Sequence, residues 1–266
     1  MKRAVMGVMV AVLLCAGGYC AYRYYDEAVL PEKRIADADE VQQELFKKIK
    51  PSPRRGASAD SAADSSPDES RHDGGSEDGG DQLLAAAREV NDGTVGWITI
   101  PGTYIDYPIA RGEDNEFYLQ HGFLGDFNYG LGCPFLDYRC EADFSGYNSI
   151  VYAHHLTRRR MFADVALYKD ESFMQTCPKG ILTDGEGQHE VRFFAYLSVS
   201  GNDHVYHVAA EGEEADYAEY LLDIAEYTKD ITLEELTGKD TRLLLLSTCT
   251  YETEDTRGVL AGIIGR

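Results

Sequence analysis

The chain has 266 residues and a formal net charge of −21, with 46 Asp and Glu against 25 Lys and Arg. Phosphate backbones are bound by clustered cations, so this balance excludes a nucleic-acid role and suits solubility and a cationic partner. The length allows one sizeable domain plus additional segments, and the six cysteines lack the paired spacing of a zinc site.

Ala4 to Tyr22 carry no charge and are about long enough to cross a bilayer core. Lys2 and Arg3 precede this run, while Arg23, Asp26 and Glu27 follow it. The positive-inside bias therefore predicts a cytoplasmic N-terminus, with residues 1–23 as a single-pass membrane anchor and the rest outside. A cleaved signal peptide with Ala16-Gly17-Gly18 as its small-residue site is the competing reading; the uncharged run continuing to Tyr22 favours the anchor. Within residues 24–50, Ile35, Ala38, Val41, Leu45 and Ile49 recur at threes and fours, which predicts a juxtamembrane helix. Asp37 and Asp39 lie early in it and Lys47, Lys48 and Lys50 late, as the helix dipole favours. This helix is expected to be solvated and to carry no site. Pro51 and Pro53 end it. Residues 51–81 are rich in Ser, Asp, Gly and Pro and have no large apolar side chain. Such a stretch cannot bury enough surface to offset its ordering entropy, so it is expected to be a flexible acidic spacer.

Residues 82–266 are expected to form the folded domain. Leu83–Val90 reads as a short helix stopped by Asn91-Asp92-Gly93. Strands are predicted at Val95–Ile100 and Tyr104–Ile109 across a Pro101-Gly102 turn, then at Cys133–Tyr138 and Asn148–Ala153. A hairpin is predicted from Gly180–Thr183 and His189–Val199 around Asp184-Gly185-Glu186-Gly187. Two more strands, Leu243–Leu246 and Val259–Ile264, follow near the C-terminus. Eight candidates make the domain mainly β and suggest a closed or nearly closed barrel. Helical patterns lie at Met161–Tyr168, with Met161, Phe162, Val165 and Tyr168 on a core face, and at Glu213–Thr228. Trp97 is read as core and His121 as structural.

Three reactive side chains stand at predicted strand ends. Cys249 closes the Leu243–Leu246 run, Arg257 follows a polar loop, and Asn148–Ala153 ends in His154-His155. A thiol acts as a nucleophile when a base or a positive charge favours its thiolate. Cys, His and Arg so placed suggest acyl transfer: the thiolate attacks a carbonyl, histidine protonates the leaving amine, and arginine stabilises the oxyanion or holds the peptide. Against this stand the inertness of most buried cysteines, the acids Glu252, Glu254 and Asp255 beside the thiol, and a surface role for Arg257 paired with them. Neighbouring strand residues face opposite ways, so only one of the two histidines can serve. The pair has no evident third ligand, and no metal is expected. Cys133 and Cys140 are read as two buried thiols in preference to a disulfide.

Several ordered motifs between Thr94 and Gly265 carry a resemblance. They are Val95-Gly96-Trp97-Ile98, Ile105-Asp106-Tyr107-Pro108, Phe135-Leu136-Asp137-Tyr138-Arg139, the segment from His154-His155 to Met161-Phe162, and Leu245-Leu246-Ser247-Thr248-Cys249 followed by Arg257. In these the chain resembles the class B sortases. The resemblance implies an eight-stranded sortase-type β-barrel with peripheral helices and a helix in the long connection that Glu213–Thr228 occupies. It implies catalytic roles for His154, Cys249 and Arg257, with His154 preferred over His155 because the family's histidine comes first. It also implies a substrate contact for Ser247, with a strand-end hydroxyl bonded to backbone as the competing reading, and no cofactor. The implied reaction is cleavage of a sorting signal after its Thr, with the acyl group passed to an amine of a peptidoglycan cross-bridge or a pilin lysine, at a Gram-positive-type cell surface. Ala153 stands where the family usually has Gly, Leu245 where it has Thr, and Gly258 where a bulky apolar residue is common; none of these removes a reactive group. Two rivals remain. A hydrolytic cysteine peptidase would usually place Cys before His. A non-catalytic membrane-tethered binding module has no need of the Cys, His and Arg set.

Overall fold

The four consecutive leucines Leu243–Leu246 are all buried, because their strand has the barrel interior on one side and a 3-10 segment, Ala163–Lys169, on the other. The structure, a computed structural model, describes residues 16–50, 77–128, 130–249 and 255–265; the side chains of Glu77, Asp78 and Cys249 fall outside that description. Eleven strands are described: β1 (Thr94–Thr99), β2 (Asp106–Arg111), β3 (Phe135–Leu136), β4 (Asn148–Tyr152), β5 (His155–Leu156), β6 (Arg160–Met161), β7 (Lys179–Asp184), β8 (Gly187–Ser200), β9 (Tyr227–Thr228), β10 (Arg242–Cys249) and β11 (Thr256–Ile264).

Nine of them form one sheet in the order β11-β10-β4-β3-β2-β1-β7-β8-β9, and β11 also pairs with β8. That pairing closes a ring of eight strands and leaves β9 as an outlying addition to β8. Closure removes the unpaired edges that an open sheet would present. β2–β3 and β4–β10 run parallel, and the other ring pairs are antiparallel. Trp97, Ile98, Phe135, Phe193, Tyr196 and Leu260 are among the side chains buried in the core.

All eight predicted ring strands are present. β3 is shorter than Cys133–Tyr138 because Pro134 has no N–H to donate and Asp137 turns its carboxylate toward Arg139. The Met161–Tyr168 pattern is not one helix: Met161 belongs to β6 with φ of 54°, and the 3-10 segment starts at Ala163. Met161, Phe162, Val165 and Tyr168 are nevertheless all buried. The Glu213–Thr228 pattern becomes a helix only over Glu214–Ile224, since Tyr227 and Thr228 pair with β8 as β9. Cys133 and Cys140 are free and buried; each thiol donates to a carbonyl, of Pro134 and Asn148 respectively.

Residues 16–24 are helical (α1) and continue through a π-helical stretch, Tyr25–Val29, into α2 (Leu30–Ile49). Among the described residues no helix is long and apolar enough to cross a membrane; residues 4–15 of the expected span lie outside them. The expectation of a solvated juxtamembrane helix is corrected. The inner face of α2 packs on the barrel, with Gln42, Phe46 and Ile49 buried. The Phe46 ring meets those of Trp97, Tyr107 and Phe123 edge-on at 5.7, 6.1 and 5.6 Å, the geometry aromatic quadrupoles prefer. α3 (Glu77–Val90) begins inside the stretch read as spacer; residues 51–76 of that stretch lie outside the described residues.

Phe46→Ala is expected to lower the unfolding free energy by about 3–5 kcal/mol, the usual cost of emptying an aromatic site in a core. Urea denaturation measures it, and a loss below about 1 kcal/mol would show that α2 unfolds separately from the barrel.

Candidate active site

The parallel pairing of β4 with β10 runs from Asn148–Leu243 to Tyr152–Ser247, and the Ala153 N–H donates to the Ser247 carbonyl at 3.1 Å. Both strands therefore end at the same rim of the barrel, with His154 just beyond one and Cys249 at the end of the other. In the antiparallel pair β10–β11, Cys249 lies opposite Arg257. Residues opposed in such a ladder share a face, so by register position 249 shares the face of Arg257. A groove of about 410 Å³ opens at this rim, and His154, Ser247, Arg257, Arg139 and Tyr206 are among its lining residues.

The orientation of His154 is fixed by its surroundings. Its Nε2 lies 2.7 Å from the Leu119 carbonyl oxygen, in α4 (Phe117–Gln120). A carbonyl only accepts, so Nε2 carries the hydrogen and Nδ1 is left to exchange protons. The close wall is Gly132, whose φ is +70°; a Cβ there would meet His154 Cδ2 at 3.0 Å and the Tyr118 carbonyl oxygen at 2.8 Å. A larger residue would be strained and would displace the ring. His155 instead opens β5 and pairs with Met161 of β6.

Arg257 makes no ion pair among the described residues; its Nη1 donates to the Thr256 carbonyl at 3.3 Å. The Asp255 carboxylate accepts from the Gly201 backbone at 3.3 Å, while Glu252 and Glu254 lie outside the described residues. Ser247 hydrogen-bonds neither of its strand neighbours through Oγ: its hydroxyl lies 2.9 Å from the Tyr206 hydroxyl. Its partner is a side chain from the long connection after β8.

Beneath the groove lies a polar network to which the sequence analysis assigned no role. Asp137 is fully buried and accepts from Arg139 Nε at 2.9 Å and Nη2 at 2.6 Å, from the Arg139 backbone at 3.0 Å, and from the Tyr152 hydroxyl at 3.0 Å. Arg139 Nη2 also donates to the Tyr206 carbonyl at 3.0 Å. Tyr206 is thus tied by its backbone to Arg139 and by its hydroxyl to Ser247. Burial alone would raise the Asp137 pKa, but the hydrogen bonds from Arg139 and Tyr152 outweigh it and hold the carboxyl below its usual range. Burial, then the Asp137 charge, pushes the Tyr152 hydroxyl strongly up, so it remains a donor. Asp137 pairs with Arg139, whereas Arg257 makes no ion pair among the described residues; the Asp255 carboxylate lies beside the same Gly201 that the Arg257 guanidinium approaches. The Asp-x-Arg spacing was visible in the sequence; the long-range link to Tyr206 had no local signal.

A carboxyl whose folded pKa is depressed stabilises the fold above its unfolded value and loses that contribution as pH falls through the folded one. Asp137→Asn is therefore expected to cost about 1–3 kcal/mol at neutral pH. The gap to the parent should narrow as pH falls below about 3.9. Denaturation across pH measures it, and a gap constant down to the acid limit would refute the assignment.

No family model matches the chain. It is 33% identical over 176 residues to a protein named Sortase B from Listeria monocytogenes, covering 66% of this chain and 70% of that one. A Streptococcus pyogenes class B sortase involved in pilus biogenesis superposes with a TM-score of 0.60 at 25% identity, covering 68% of this chain and 97% of that one. Staphylococcus aureus sortase B superposes with a TM-score of 0.64 over 86% of this chain and 97% of the other; at 20% identity this similarity shows the fold alone. The eight-stranded ring and the match to the Listeria protein lead to one assignment: the chain belongs to the class B sortases and is a cysteine transpeptidase.

Proposed function

We propose that the chain cleaves a C-terminal sorting signal through a thioester on Cys249 and transfers the acyl group to an amine at a Gram-positive-type cell surface. The observation that carries this reading is the common rim, where His154, Ser247 and Arg257 line one groove and the β10–β11 ladder sets position 249 opposite Arg257. The Cys249 thiolate attacks the scissile carbonyl after the Thr of the signal. The oxyanion that develops is met by the Arg257 guanidinium, which makes no ion pair among the described residues. Nδ1 of protonated His154 gives its proton to the leaving amine, and the C–N bond breaks. In the second half, neutral His154 takes a proton from the incoming amine as it attacks the thioester, and the Cys249 thiolate departs. Ser247, braced by Tyr206, contacts the bound peptide.

The acceptor is an amine of a peptidoglycan cross-bridge or a pilin lysine. The role of the Streptococcus pyogenes relative in pilus biogenesis supports the second. Residues 1–23 tether the enzyme as a single-pass anchor with the catalytic domain outside the cell. Tyr19, Tyr22, Tyr24 and Tyr25, all exposed on the helical run, support this as an interfacial aromatic belt.

Incubation with sorting peptides should load the parent enzyme with an acyl adduct, seen as a mass increase, and Cys249→Ala should show none. Turnover retained by Cys249→Ala would refute the mechanism. Arg257→Ala is expected to lower kcat by about 100- to 1,000-fold, the scale of losing one oxyanion donor. Product analysis with added amine distinguishes transfer from hydrolysis; hydrolysis unaffected by amine would favour a peptidase.

A further inference from the structure

The segment that follows His154 is a strained hairpin. Arg158, Arg159 and Met161 have φ of 58°, 58° and 54°, in the left-handed region that side chains with a Cβ avoid. Three such residues within four positions persist only where the surroundings over-determine them. The His154 carbonyl is part of this hairpin, accepting from the Phe162 N–H at 2.9 Å, and β5 and β6 pair through His155–Met161 and Leu156–Arg160. Arg159 is anchored toward the barrel by a bidentate pair with buried Asp164, at 2.6 and 2.7 Å.

The other anchor comes from α2. Arg160 is buried, and its Nε lies 3.0 Å from Asp39 Oδ2 and its Nη1 3.7 Å from Glu32 Oε1. Glu32 also accepts from the Thr157 hydroxyl at 2.6 Å. One turn further along α2, Gln42 Oε1 accepts from the Phe123 N–H at 3.2 Å, just after α4, whose Leu119 carbonyl receives the His154 Nε2 hydrogen. A Cβ on Gly122 would meet Gln42 Oε1 at 2.9 Å, so the contact is close-fitting. α2 therefore grips both segments between which the imidazole lies, one through an ion pair and the other through an amide.

We infer that α2 is a positioning element for His154, acting through Asp39 and Glu32 on Arg160 and through Gln42 on the Phe123 backbone. This rests on the reading of His154 as the acid and base of the reaction. A buried guanidinium on β6 paired with carboxylates from a helix outside the barrel is a poor choice for stability alone, since apolar packing usually serves as well. What the pair supplies is a fixed register between α2 and the hairpin.

The test uses the full chain, with kcat and KM for a sorting peptide plus amine, the pH–rate profile and Tm measured together. Arg160→Met should lower kcat about tenfold or more with KM within about twofold, and should move the limb of the pH profile that reports the imidazole. Arg160→Lys, which keeps the charge, should recover most of the loss. If Arg160→Met does not fold, Asp39→Asn keeps the volume and should lower kcat about three- to tenfold with the same change in the pH profile. A lowered Tm with kcat and pH profile unchanged in the folded variants would reduce α2 to a structural brace and overturn the inference. His154→Ala separates the two ideas. Its loss of turnover alongside a fully active Arg160→Met would sink the positioning role alone, whereas undiminished turnover in His154→Ala would remove the underlying reading as well.

Discussion

The arrangement at the rim depends on one pairing, the parallel ladder of β4 with β10. A parallel neighbour brings equivalent strand ends together, so two segments far apart in sequence finish at one side of the barrel. The Ala153 N–H to Ser247 carbonyl bond extends that alignment past the last ladder pair. A slip of one residue would turn every β10 side chain to the opposite face. Because Leu243–Leu246 are buried on both faces, a slip exchanges leucine for leucine within the run, and its cost falls at the ends, where Arg242 or Ser247 would enter a leucine's place. The same apolar run that builds the core thus sets the position of the thiol-bearing residue.

The groove is built from charges of unequal freedom. Arg139 is spoken for by a buried carboxylate on its own turn and by the Tyr206 carbonyl. Arg257 has only the Thr256 carbonyl among the described residues. Of the two guanidiniums that line the groove, Arg257 is therefore the less tied. Tyr206, held at both its ends, converts a long connection into a wall of fixed position.

Much of the ring was legible in the sequence, since alternation and apolar runs bounded by turn residues mark strands locally. Cys249 and His154 stand where an apolar run gives out and Arg257 just before the next begins, so the sequence marks all three as lying near strand ends, where the ladders place them. The failures have a common cause. Met161–Tyr168 satisfies a helical period, yet a left-handed Met161 breaks the element, and nothing in the local pattern encodes the strain that the Arg160 and Asp164 pairs impose. α2 read as solvated because its inner face is sparse: Phe46 and Gln42 meet partners from residues 97 to 123, which no window along the helix contains. Tyr206 was missed for the same reason, its partners Ser247 and Arg139 lying in other parts of the chain.

The β4–β10 ladder joins residues nearly a hundred positions apart, beginning with Asn148 and Leu243. Closing so long a stretch of chain carries an entropic cost that must be met before the contact gives anything back. The His154 end of β4 and the Cys249 end of β10 are accordingly brought to one rim late in folding. A partly folded chain therefore carries position 249 without the groove that His154 and Arg257 line, and that groove exists only once the barrel is complete.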